Sequence, residues 1–103
     1  MKPRILAVGM LDHQTFHRDT FFVQLNEAQV MLYEAHTNGH IKPLFPEPVP
    51  LCYVTAGIEK FGATYRVDEP VELDTVENLP AMIGKFELTA RGTCRLVTRS
   101  RRK

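Results

Sequence analysis

The chain has 103 residues, 44% of them hydrophobic and 24% charged, with a formal net charge of +1. That is the composition of one ordinary globular domain, 1–103, long enough to bury roughly 65% of the surface its unfolded state exposes. It excludes a membrane-spanning helix, since no run approaches ~18 apolar residues. It also excludes a secreted disulfide scaffold, which needs more than the two cysteines present. A reduced, cytoplasmic protein with both Cys52 and Cys94 in its core is the expectation.

In chain order, the apolar run "RILAVGM" (4–10) predicts a first strand. The stretch "LNEAQVMLYEAHTNG" predicts an amphipathic helix over 27–37. Asn26 is a suitable N-cap, Gln29 completes a box-like pair, and Leu25 and Val30 stand at the staple positions. Leu25, Ala28, Leu32 and Ala35 then share a face, and Gly39 supplies the stop. A rival reading takes Asn38-Gly39 as a two-residue hairpin loop, pairing Thr37 with His40 and Tyr33 with Leu44. The next segment, "PLFPEPVP" (43–50), reads as an extended crossover or an edge, because proline cannot donate to a ladder.

Beyond it, "LCYVTAG" (51–57) and "ATYRV" (63–67) read as strands joined through a loop around "IEKF". Asp74 and Glu77 have capping-box spacing and Pro80 follows, which predicts a short helical turn at 75–83. The last hairpin has the cleanest alternation. A three-residue loop, Ala90-Arg91-Gly92, puts Gly92 at the left-handed position of a bulge. Phe86 then faces Leu96 and Leu88 faces Cys94 on the buried side, while Glu87 meets Arg95 on the outer side. Together these elements predict an α+β fold: a mostly antiparallel sheet of about five strands, one amphipathic helix, and the C-terminal hairpin central to the core. A small β-barrel is the alternative if the Asn-Gly hairpin forms.

Few motifs carry chemistry. The glycines form no phosphate-binding loop, and no cofactor is expected. His13/His17 and His36/His40 are two pairs at i, i+4 spacing, of which His13 and His17 are the weak metal candidates. Neither pair encloses the Glu of a metalloprotease motif, and surface histidines are the expected reading. Neither cysteine has the local signature of a nucleophile, so no catalytic residue is assigned. The acids of "VDEPVELD" (67–74) read as a solvated face or as partners for basic residues.

Charge distribution gives the main functional signal. Residues 85–103 hold seven basic residues against one acidic, whereas 1–84 hold six against eleven. Arg91, Arg95, Arg99, Arg101, Arg102 and Lys103 form a basic hairpin and tail, the tail beginning near 99. Such a row suits a polyanion, nucleic acid in particular, with Tyr65 or Phe61 as stacking surfaces. The expectation is therefore a non-catalytic binding or accessory module contacting nucleic acid. The alternative is a protein-interaction or inhibitor module, including a homodimer, that uses acidic/basic complementarity.

Overall fold

The computed structural model describes residues 2–9, 18–52, 54 and 64–97. These form β1 (Arg4–Gly9), β2 (Arg18–Gln24), β3 (Gln29–His36), β4 (Ile41–Pro43), β5 (Val49–Pro50), β6 (Thr64–Glu72), β7 (Phe86–Leu88) and β8 (Cys94–Leu96), with a 3-10 segment at Val76–Met82. The sheet is open, in the order β4-β3-β2-β1-β6-β8-β7, with β5 paired beside β4 on β3. It is neither the α+β fold nor the small barrel expected above.

The largest departure is the segment expected to be a helix, 27–37, which contributes β3 instead. Its alternate side chains enter two cores. Val30 and Leu32 pack with Ala7, Phe22 and Val54 on one face of the sheet. Ala35 and the half-buried Tyr33 pack with Ile5, Val8, Phe21 and Val23 on the other. Leu32 and Ala35, which a helix would bring to one side, are thus split between faces by the period-two rule. Burying both faces outweighs a helix propensity that differs by under ~1 kcal/mol per residue.

The Asn26–Gln29 signature is real but serves a turn. Asn26 Oδ1 accepts from the Ala28 N–H at 2.8 Å, and its amide donates to Gln29 Oε1 at 2.9 Å. Leu25 N–H donates to Gln29 O at 3.0 Å, closing a three-residue loop between β2 and β3. Asn side chains bond the backbone two residues on in turns as they do at helix starts.

The Asn-Gly hairpin also forms, one residue longer than the two-residue reading. Ala35 pairs with Ile41 and Tyr33 with Pro43. His36 and His40 close the loop, and Gly39 sits at φ +97°. β2 is the most buried strand, six of its seven residues being buried. With both faces covered it shows no alternation. β1 carries one extra residue near Leu6, so Ile5 and Val8 face one core and Ala7 the other.

In the strand expected at 51–57, Leu51 and Cys52 instead form a turn. Val54 is buried, and the rest of that strand and the "IEKF" loop lie outside the described residues. The "ATYRV" strand is longer than expected and runs to Glu72. The helical turn at 75–83 is the 3-10 segment, but its cap is Thr75, not Asp74. Thr75 Oγ1 accepts from the Glu77 N–H while Asn78 Oδ1 accepts from the Thr75 N–H. The segment drops Leu79, fully buried, into the core that also holds Leu73, Ile83 and Cys94.

The C-terminal hairpin has the expected register: Phe86↔Leu96, Glu87↔Arg95 and Leu88↔Cys94. Gly92 has φ +84°. Its position differs from expectation. The hairpin ends the sheet, with β7 outermost, and Leu88 is 50% exposed; the centre of the fold is β1–β2–β3.

Candidate interaction surface at the C-terminal hairpin

The site is positioned by an interruption in β6. β6 pairs with β1 at Thr64–Arg66 and again at Val71–Glu72, but residues 67–70 leave that ladder. Pro70, which has no N–H to offer, lies in the interruption. There Val67 turns to pair in parallel with Cys94 of β8, which attaches the hairpin to the sheet.

Asp68, next along the interruption, fixes the hairpin tip. Its Oδ2 accepts from Arg91 Nη2 at 2.6 Å and its Oδ1 accepts from the Thr93 hydroxyl. A carboxylate only accepts, so Thr93 spends its proton on Asp68. The 2.7 Å contact between Thr89 and Thr93 hydroxyls must then run with Thr89 as donor. Thr89 Oγ1 in turn accepts from the Arg91 N–H at 3.2 Å. The Thr93 hydroxyl, followed by Arg91 and the charge of Arg95, holds the Asp68 carboxyl below its ordinary value of 3.8, against the opposing effect of its partial desolvation.

Both described members of the expected basic row are therefore paired within the chain. Arg91 is held by Asp68, and Arg95 Nε donates to Glu87 Oε2 at 2.6 Å. Their side chains remain 74% and 64% exposed. They border an open depression of about 700 Å³ that also contains Asp68 and Glu69, so its charge is mixed, not basic. Arg99, Arg101, Arg102, Lys103, His13, His17 and Phe61 lie outside the described residues. Tyr65 is half-buried against the core.

The second histidine pair meets across the hairpin loop, with ring centres 5.7 Å apart. His36 Nε2 lies 3.0 Å from Glu34 Oε2, which Arg18 also reaches at 3.2 Å. Among the described residues no group of three or more His, Cys, Asp or Glu is placed to hold a metal ion. Of the thiols expected in the core, only Cys94 is buried; Cys52 is exposed and both are unpaired. Burial, reinforced by the Asp68 charge, pushes the Cys94 thiol up to about 12, and its Sγ donates to Tyr65 O at 3.7 Å.

The outer side of β7 completes the site. Thr89 N–H donates to Thr93 O at 2.9 Å and Val97 N–H to Lys85 O at 2.7 Å. By antiparallel alternation, Lys85, Glu87 and Thr89 face β8, while the main-chain N–H and C=O of Phe86 and Leu88 point away from it. Among the described residues no strand takes up those groups. A depression of about 540 Å³ lies at the start of β7, lined by Gly84, Lys85, Phe86, Glu87 and Val97. Phe86 is anchored by Phe21, at 6.4 Å between ring centres. Sequence reasoning offered the acids of 67–74 as partners for basic residues but missed Asp68 as the particular tether, although Pro70 within a strand signals a break in pairing. It also missed the open edge, which depends on strand order and has no local signal.

Among the described residues no helix is long and apolar enough to cross a membrane. No protein-family model, curated protein or solved structure matches the chain.

Proposed function

We propose that the protein is a small non-catalytic interaction module that binds a protein partner through the C-terminal hairpin. The observation that carries this reading is the outer side of β7, with two residues' main-chain donors and acceptors turned outward beside Leu88, 50% exposed. An extended segment of a partner can add there as a further strand, taking affinity from the main chain and selectivity from the flanking side chains. Lys85 and Glu87 on the opposite face to Leu88 supply the acidic/basic complementarity. The test is a selection of displayed peptides on the intact protein and on Leu88→Pro, which removes one outward N–H while leaving the fully buried core in place. Peptides with alternating apolar residues should be enriched on the first and not on the second. Equal enrichment on both would overturn the reading.

The exposure of Arg91 and Arg95 favours a second reading, contact with nucleic acid or another polyanion. Since Asp68 and Glu87 already hold both guanidiniums, a polyanion must displace them. The reading therefore rests chiefly on Arg99, Arg101, Arg102 and Lys103. Oligonucleotide titration at two salt concentrations tests it: deleting 99–103 should flatten the salt slope by up to about three units. Absence of binding by the intact protein at low salt would end it. Two unpaired thiols, one of them exposed, support a reducing, cytoplasmic setting.

A further inference from the structure

From the pattern of residues 85–88 we infer that the strand added to β7 is β7 of a second copy of this chain. This rests on the interaction-module reading and names its partner. Lys85, Phe86, Glu87 and Leu88 alternate charged and apolar, so that Lys85 and Glu87 share one face of the strand and Phe86 and Leu88 the other. An antiparallel two-fold pairing keeps each face matched to itself, since a closed dimer uses the same patch on both subunits. Three registers centred on a β7 residue are open to it. Centred on Leu88, it sets Glu87 opposite Thr89 of the second copy and leaves Lys85 outside the seam. Centred on Glu87, it sets Glu87 directly against Glu87 of the second copy, which is repulsive. Centred on Phe86, it sets Lys85 opposite Glu87 of the second copy and Glu87 opposite Lys85 of the second copy.

The main chain accepts the Phe86-centred register as it does the others, so the charges decide between them. Phe86 is an outward-facing residue, so the two copies of Phe86 can exchange both N–H···O=C bonds as a hydrogen-bonded pair. Lys85 and Glu87 then fall in the closer, non-hydrogen-bonded positions, where side chains meet most directly. On the other face Phe86 meets its counterpart, and Leu88 lies on the diagonal to it, covering the one large hydrophobic side chain exposed among the described residues. Glu87 remains beside its own Arg95, so each carboxylate has a cation on either side. The anchoring of Phe86 on Phe21 holds the edge in place before pairing. A seam of about four residues buries less than the ~1,200 Å² of a stable interface. The dimer is accordingly transient and concentration-dependent.

Sedimentation of the full chain over a concentration series tests this. The intact protein should self-associate, and added salt should weaken the association. Lys85→Glu alone and Glu87→Lys alone each place like charges across the seam, and each should weaken association at least about ten-fold. Mixing the two variants should restore a dimer, now a heterodimer, because the acidic strand of one meets the basic strand of the other. Circular dichroism of each variant separates lost pairing from lost folding, and the mixture provides a gain of signal that misfolding cannot mimic. A monomeric intact protein at the highest concentration, or association untouched by both charge changes, overturns the inference. If the protein is monomeric yet selects strand-like peptides through β7, the second copy is excluded while the interaction-module reading stands. If neither occurs, both fall.

Discussion

At one end of the sheet β3 and β4 turn through Thr37-Asn38-Gly39; at the other β7 and β8 turn through Ala90-Arg91-Gly92. The two loops are built alike. In each, a glycine at positive φ returns its N–H to the residue before the loop, His36 at 2.9 Å and Thr89 at 3.2 Å. The edge strands they serve differ: β4 follows its turn, whereas β7 precedes its own. β4 itself ends in Pro43, paired with Tyr33, and the proline-rich run that follows folds back on β3, so that Val30 meets Val49 and Leu44 donates to Leu32. Proline on an edge withholds donors from any further strand, a common way of closing a sheet. β7 has no proline and no cover among the described residues. Two local sequences of the same loop class thus give one closed edge and one open edge, and what decides between them is whether the edge strand and its flanking chain carry prolines and fold back on the sheet.

The comparison is most easily broken in the cores beneath the two ends. Leu32 is fully buried under the 41–50 segment, whereas Leu88 is 50% exposed. Leu32→Ala should cost about 2–5 kcal/mol, as expected for a large core side chain. Leu88→Ala should change stability by no more than about 0.5 kcal/mol. Denaturant melts of both variants measure the contrast, and a large loss at Leu88 would mean that β7 is covered and not open.

The next effect concerns the loops. Nothing lies within 4 Å of a Cβ built at Gly39 or Gly92, so the cost of a side chain is that of the backbone alone. Gly39→Val and Gly92→Val should each cost about 1–2 kcal/mol, while Asn in either place costs less because it tolerates the left-handed region. Hydrogen exchange should then separate the ends. The Gly39 change should raise exchange through β2 and β3, and the Gly92 change only in β7 and β8.

The same two hairpins show what was legible beforehand. Arg91-Gly92 lies between two alternating runs, so loop length, bulge and register followed from local rules. At the other end, Asn26 and Gln29 sat before good helix formers, and the same side-chain bonds that start a helix close a β-turn. Asn38-Gly39 was the local sign of a hairpin; the cap-like bonds themselves do not distinguish the two, because the choice depends on β2 and β4 lying on either side of β3. Phe21-Phe22-Val23 gave no period to read, being buried on both faces. The Glu87–Arg95 pair followed from the hairpin register, but the other ion pair of the candidate surface is non-local. Asp68 meets Arg91 across 23 residues of chain, and the acidic run 67–74 suggests basic partners without saying which acid meets which arginine.

A pH series sharpens the difference between the ends, since the open end is tethered by titrating groups. The Asp68 carboxyl is held below its ordinary 3.8 in the folded chain, chiefly by Thr93 and then by Arg91. A depressed folded value means that the tether stabilises above pH 3.8 and is lost as pH falls through the lower folded value. Exchange protection at Thr89–Thr93 should therefore fall in acid before that of Leu25–Gln29, and Asp68→Asn should abolish the acid step. Cys94 acts at the other limit. Its folded value is raised from 9.0 to about 12, so its contribution is intact below pH 9 and declines above it, by at most about 1.4 kcal/mol per pH unit. A thiol reagent at neutral pH should accordingly modify Cys52 at once and Cys94 only on unfolding; rapid modification of both would contradict the buried position of Cys94.

The smallest effect belongs to the Glu87–Arg95 pair, and it separates structure from function at the open edge. Both side chains are largely exposed, 46% and 64%. Such a pair is screened by water and salt, so a double-mutant cycle with Glu87→Gln and Arg95→Gln should give a coupling under about 1 kcal/mol, vanishing at high salt. The two single variants should nevertheless differ in association. Glu87→Gln removes the partner of Lys85 across the proposed seam and should weaken self-association, with folding almost unchanged. Arg95→Gln leaves Lys85 and Glu87 in place and should change association less. If Arg95 instead contacts a polyanion, its removal should lower the salt slope of oligonucleotide binding by about 0.7–0.9, and Glu87→Gln, by releasing Arg95 from its carboxylate, should strengthen that binding. The two readings thus predict opposite signs for one substitution: Glu87→Gln weakens contact with a second copy and strengthens contact with a polyanion.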